Sequence, residues 1–162
     1  MKDILVVLTK AEWCGHCKVF APIFKISEEK VNENDYLKDK KITFESYDME
    51  KEKEVKEFKN KYGEENANKI DGYPTAFIVI LDNNKIKNFE EVKTTRTKDN
   101  GMENEAAKDF LSNIEVKLKT LLSENKDKYV NTDKVNGQTG GSNYKHKYLK
   151  YKNKYLELKK NF

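Results

Sequence analysis

In AEWCGHCKVFAP, residues 11–22, two cysteines sit at the seam between two kinds of apolar pattern. Before them runs ILVVL (4–8), apolar without a break, as a strand is when its sheet is covered on both faces. After them Val19, Phe20, Ile23, Phe24 and Ile26 recur at helical spacing. A strand from about Asp3 to Thr9 therefore hands over to a helix from about Cys14 to Lys30, with both cysteines in its first turn. A buried strand feeding straight into an amphipathic helix points to a layered α/β fold.

The rest of the chain extends that pattern. KITFESYDM (41–49) reads as a second strand, and Val55, Phe58 and Tyr62 form the apolar stripe of a charged helix from about Glu50 to Lys61. YPTAFIVIL (73–81), DNN (82–84) and KIKNFEEV (85–92) read as strand, hairpin turn and strand. A last helix, about Asn104 to Ser123, lines up Phe110, Leu111, Ile114, Leu118, Leu121 and Leu122. The expected order is β-α-β-α-β-β-α over residues 1–124, which is one domain of ordinary size. Residues 125–143, with few apolar side chains and three glycines, read as a flexible linker. Periodicity returns at 144–162, where Tyr144, Tyr148, Tyr151, Tyr155, Leu158 and Phe162 make an a/d seam on a basic helical tail.

The net charge of +4 belongs to that tail. From Asn125 onward ten lysines face three acids, whereas the first 124 residues hold 22 basic and 25 acidic side chains. Arg96 is the single arginine among 32 basic residues, a bias typical of AT-rich coding that weakens lysine runs as signs of binding. ILVVL is too short for a signal-peptide core or a membrane span, so a cytoplasmic location and no membrane partner are expected.

Three chemistries compete for Cys14 and Cys17. Structural zinc needs about four protein ligands, and the other soft candidates are His16, caught between the thiols, and His146 in the remote tail. A staple closing so small a loop removes little unfolded-state entropy. Electron transfer accounts for position as well as residue type: at a helix N-terminus, free backbone N–H groups and the helix dipole favour a thiolate over a thiol that otherwise titrates near ~8.5. Cys14, at the helix start with its sulfur outward, is the expected nucleophile, and Cys17, turned inward, the resolving thiol. The disulfide pair itself is the redox group, so no cofactor and no metal is expected.

WCGHCK (13–18), Pro22 and GYPT (72–75) together make the chain resemble the thioredoxin superfamily, with an active-site hexapeptide of the protein disulfide isomerase type. The resemblance covers roughly residues 3–123. It implies a thioredoxin-like fold, an enzyme of thiol-disulfide oxidoreduction, and protein disulfides or dithiols as substrates, served by a thiol reductant or oxidant. It implies a cis bond before Pro74, with Tyr73 and Pro74 facing the cysteines so that an extended substrate pairs with the Tyr73 backbone. Trp13 would offer a flat apolar surface beside the thiols, the bland alternative being a core tryptophan. His16 would tune the thiolate and, by stabilising the dithiol, strengthen the pair as an oxidant.

The chain departs from that family in three places. Only 13 residues precede Cys14, so a trimmed fold with a four-stranded mixed sheet is expected. The family's buried acid, six residues before the first cysteine, is Leu8 here, and its lysine partner falls near Ser46. Deprotonation of Cys17 must then rely on solvent, His16, Glu12 or Lys10, and slower resolution is expected. TTRT (94–97) lacks a glycine that normally opens substrate access.

The tail leaves several readings open: a solvated helix without a partner, self-association or docking on another protein through the Tyr/Leu seam, or binding of nucleic acid through its lysines. It also resembles Tyr/Lys/Leu-rich C-terminal segments of giant DNA virus proteins, which would make it an address into a virion. The alternative function, from a different class, is a binding or structural module with a vestigial redox centre, delivered by this tail.

Overall fold

Strand β1 (Lys2–Lys10) lies at the middle of the sheet because it has apolar side chains to offer on both faces. It pairs in parallel with β2 (Ile42–Asp48) and antiparallel with β3 (Thr75–Asp82), which pairs antiparallel with β4 (Lys85–Val92). The result is a four-stranded mixed sheet of order β2-β1-β3-β4 in an α/β thioredoxin-like fold. The computed structural model describes residues 2–97 and 99–127; residues 128–143 of the linker expected at 125–143, and the expected helix at 144–162, lie outside the described residues.

Strand side chains alternate between faces. From β1 and β3, Ile4, Val6, Leu8, Ala76, Ile78 and Ile80 meet helices α1 (Gly15–Lys30) and α4 (Glu103–Asp127) through Phe20, Ile23, Phe24, Phe110, Ile114 and Leu118. On the other face Leu5, Val7, Phe77 and Val79 pack with Phe58 and Tyr62 of α2 (Glu52–Tyr62) and with Phe89 of β4. Both faces of the central strands are thus covered, which is why ILVVL carries no polar alternation. Phe20 and Phe110 meet edge to face, 5.0 Å between centroids, and lock α1 to α4.

Several boundaries differ from expectation. The hairpin turn is two residues long, since Asp82 still pairs with Lys85, and Asn83 and Asn84 take φ of 51° and 61°, a left-handed conformation that asparagine tolerates. After α1 a 3-10 turn (Val31–Glu33) leads to Asn34, whose Oδ1 accepts the N–H groups of Tyr36 and Leu37 and so seats the fully buried Leu37. A short helix α3 (Glu64–Ala67) follows α2. Helix α4 runs three residues into the expected linker; scarcity of apolar side chains ends a packed face, but no proline or glycine is present at 124–127 to end the helix. Among the described residues, no helix is long and apolar enough to cross a membrane.

Candidate active site

β1 ends at Lys10, and a tight turn, with the Cys14 N–H donating to the Ala11 carbonyl at 3.1 Å, converts the strand into α1. Cys14 is the N-cap of that helix, in extended conformation, and its sulfur accepts the Cys17 N–H at 3.2 Å. It occupies the place where a serine or aspartate oxygen ordinarily satisfies a free helix donor. Both thiols are free.

The expectation of an outward Cys14 and an inward Cys17 needs correction. The two residues are 5% and 4% exposed, because Tyr73 packs against both and the Cys14 thiol donates to the Tyr73 carbonyl at 3.5 Å. Burial, then its hydrogen bond to Cys14, pushes the Cys17 thiol up to about 11; a backbone bond at Ala11 and the charge of Lys10 offset this only in part.

The loop over the cysteines is held from below. Gly72 adopts φ +113°, which a side chain would resist, and the Tyr73-Pro74 peptide is cis. Thr75 closes the turn by donating to the Gly72 carbonyl at 2.8 Å, and fully buried Thr9 donates to the Thr75 carbonyl at 3.1 Å. The end of β1 and the loop before β3 are therefore fastened together at Thr75.

Trp13 is no core residue. It is 67% exposed, donates its indole N–H to Glu50 at 2.6 Å, and meets the Tyr73 ring edge-on at 6.4 Å. His16 is exposed on the first turn of α1. Burial, followed by the charges of Glu50, Cys17 and Asp48, raises the Tyr73 hydroxyl pKa. Leu8 is buried in the core and stands opposite Ser46 in the β1-β2 register.

Glu50 and Asp48 escaped the sequence reading. Glu50 looked like the start of a solvated helix and Asp48 like a strand end; neither signals chemistry until β2 is laid beside β1. The signal was present in the length of the two strands, since parallel pairing carried to the end of β1 puts Lys10 against Asp48. A cleft of about 300 Å³ runs beside Cys17, which lines it together with Lys10, Glu12, Lys18, Asp48 and Lys51.

A family model described as thioredoxin matches residues 1–104. The chain belongs to the thioredoxin family. Solved structures are similar to the chain at low identity. The Trx4 domain of ERdj5 is 22% identical, with a TM-score of 0.44 over 73% of this chain and 82% of that one. The first thioredoxin domain of mouse protein disulfide-isomerase A4 is 18% identical, with a TM-score of 0.39 over 86% and 74%. Human ERp44 in its zinc-bound form is 17% identical, with a TM-score of 0.40 over 70% of this chain, which spans 27% of ERp44. A thioredoxin domain carrying two neighbouring thiols supports thiol-disulfide oxidoreductase chemistry in general terms.

Proposed function

We propose that this thioredoxin-family chain reduces, forms or isomerises protein disulfides through the Cys14/Cys17 pair. The observation that carries the reading is the Cys17 N–H on the Cys14 sulfur at a helix N-terminus, a donor that favours negative charge on that sulfur. In the reductive direction the Cys14 thiolate attacks one sulfur of a substrate disulfide. A Cys14-substrate bond forms, the substrate disulfide breaks, and the departing sulfur takes a proton from solvent. Cys17, deprotonated, then attacks the Cys14 sulfur, the internal disulfide closes, and the second substrate sulfur leaves with its electron pair. Two electrons pass from the dithiol to the substrate. Run backward, the same steps oxidise a substrate dithiol.

Substrate is proposed to lie against Trp13 and along the loop at Tyr73 and Pro74, since an indole 67% exposed gives an extended peptide an apolar surface next to Cys14. An external thiol would return the pair to its reduced form. The test is insulin reduction by the full chain with dithiothreitol as electron source, beside a Cys14→Ser control. Turnover well above the control is expected; turnover equal to the control overturns the reading.

A further inference from the structure

Cys17 must lose a proton before it can close the internal disulfide, and Leu8, buried near the end of β1, offers no acceptor for it. The register of β1 and β2 supplies another arrangement. Side chains on one face of a strand recur every second residue. Two positions beyond the Leu8/Ser46 pair, on that same face and nearer the cysteines, Lys10 stands opposite Asp48. We propose that Asp48 is the proton acceptor for Cys17 when the Cys14-Cys17 bond closes, acting through the cleft that both residues line with Lys10.

The cleft, at about 300 Å³, has room for several waters, each of which occupies ~30 Å³ in the liquid. Charged groups reach it from every side: Lys10 from β1, Glu12 from the turn, Lys18 from α1, and Asp48 and Lys51 from the end of β2 and the entry to α2. The lysines, as ammonium ions, can hold a thiolate's charge but cannot take its proton. Glu12 is exposed and offers little that bulk water does not. Asp48 is the buried acid of the set, 4% exposed, and it is held in place: one oxygen accepts the Glu50 N–H at 3.0 Å and the other lies 3.7 Å from the Lys51 ammonium. Burial of Cys17, which pushes its thiol up to about 11, makes unaided ionisation rare near neutral pH, while the Lys10 charge acts in the opposite direction.

With Cys14 joined to substrate, the Cys17 proton passes through cleft water to the Asp48 carboxylate as Cys17 attacks the Cys14 sulfur. The Cys14-Cys17 bond forms, the Cys14-substrate bond breaks, and the substrate sulfur leaves with the electron pair. Asp48 returns the proton to solvent.

The inference rests on the oxidoreductase reading, so its test separates attack from resolution. The reduced full chain is mixed rapidly with a small aromatic disulfide, quenched in acid, and the Cys14 adduct is followed by mass spectrometry from pH 6 to 10. Asp48→Asn keeps an oxygen for the Glu50 N–H. Its adduct should form at the parent's rate yet decay ~100-fold or more slowly at pH 7, the low end of general-base effects. Added acetate should speed that decay in the variant and leave the parent unaffected. Lys10→Gln, which leaves the Asp48 turn intact, should move the decay profile to higher pH. Decay of both variants with the parent's rate and pH profile overturns the inference. A parent that releases no aromatic thiol and closes no Cys14-Cys17 disulfide overturns the oxidoreductase reading, and this inference with it.

Discussion

Replacing Cys14 by serine leaves Cys17 as the only thiol and isolates what its surroundings do to it. Its pKa in the native dithiol is about 11, against an ordinary 9.0. Two units lower the thiolate population at neutral pH about a hundredfold. A more basic thiolate is also the better nucleophile, and a Brønsted slope of about 0.4–0.5 returns close to tenfold over the same interval. Ionisation alone should therefore make Cys17 about tenfold slower than an ordinary thiol, and an exposure of 4% slows it further. The serine removes the contribution of Cys14, the second cause, while burial, the first, remains. The assay is release of chromophore from an aromatic disulfide between pH 7 and 11.5, with the same variant unfolded in guanidinium as the internal standard. The folded variant should titrate above 9.0 and react several-fold more slowly than the unfolded one at pH 7. An inflection at or below 9.0, with equal rates in the two states, would refute the account of burial. The same linkage has a definite sign for stability. A folded state that holds this proton more tightly is favoured below pH 9, and that contribution is lost as pH climbs toward about 11.

Phe110→Ala removes a fully buried ring that touches Phe20 and Phe24 and should cost about 3–5 kcal/mol, seen as a much lower urea midpoint, with no direct contact to the dithiol disturbed. Glu45 is pushed up by burial, but hydrogen bonds from Lys61, Tyr62 and Tyr47 outweigh this and hold its carboxyl below its ordinary 4.5. Its contribution to stability is present above pH 4.5 and lost as pH falls below it, so Glu45→Gln should flatten the acid limb of a thermal-melting profile between pH 5 and 3.

Much of the fold was legible because local periodicity carries it. Continuous apolar runs marked β1 and β3, the 3.6-residue stripe marked α1 and α4, and the asparagines marked the hairpin. The Asn34 turn and the short helix α3 were not legible, since each is fixed by a few local hydrogen bonds that have no periodic signature. Within the site, the cysteine pair, Trp13 and Tyr73-Pro74 were found from spacing and resemblance, whereas Asp48 and Glu50 were passed over as ordinary acids on a charged chain.

By itself the sequence determined the order of elements and the position of two thiols at the start of a helix, because both follow from side-chain types a few residues apart. Tertiary structure alone decided that Cys14 lies under Tyr73, that Trp13 is tied to Glu50, and that Lys10, Asp48 and Cys17 line one cleft. Those relations join segments distant in sequence, 59 residues apart for Cys14 and Tyr73, and arise from strand register and loop closure, which depend on the whole core packing on both faces of one sheet.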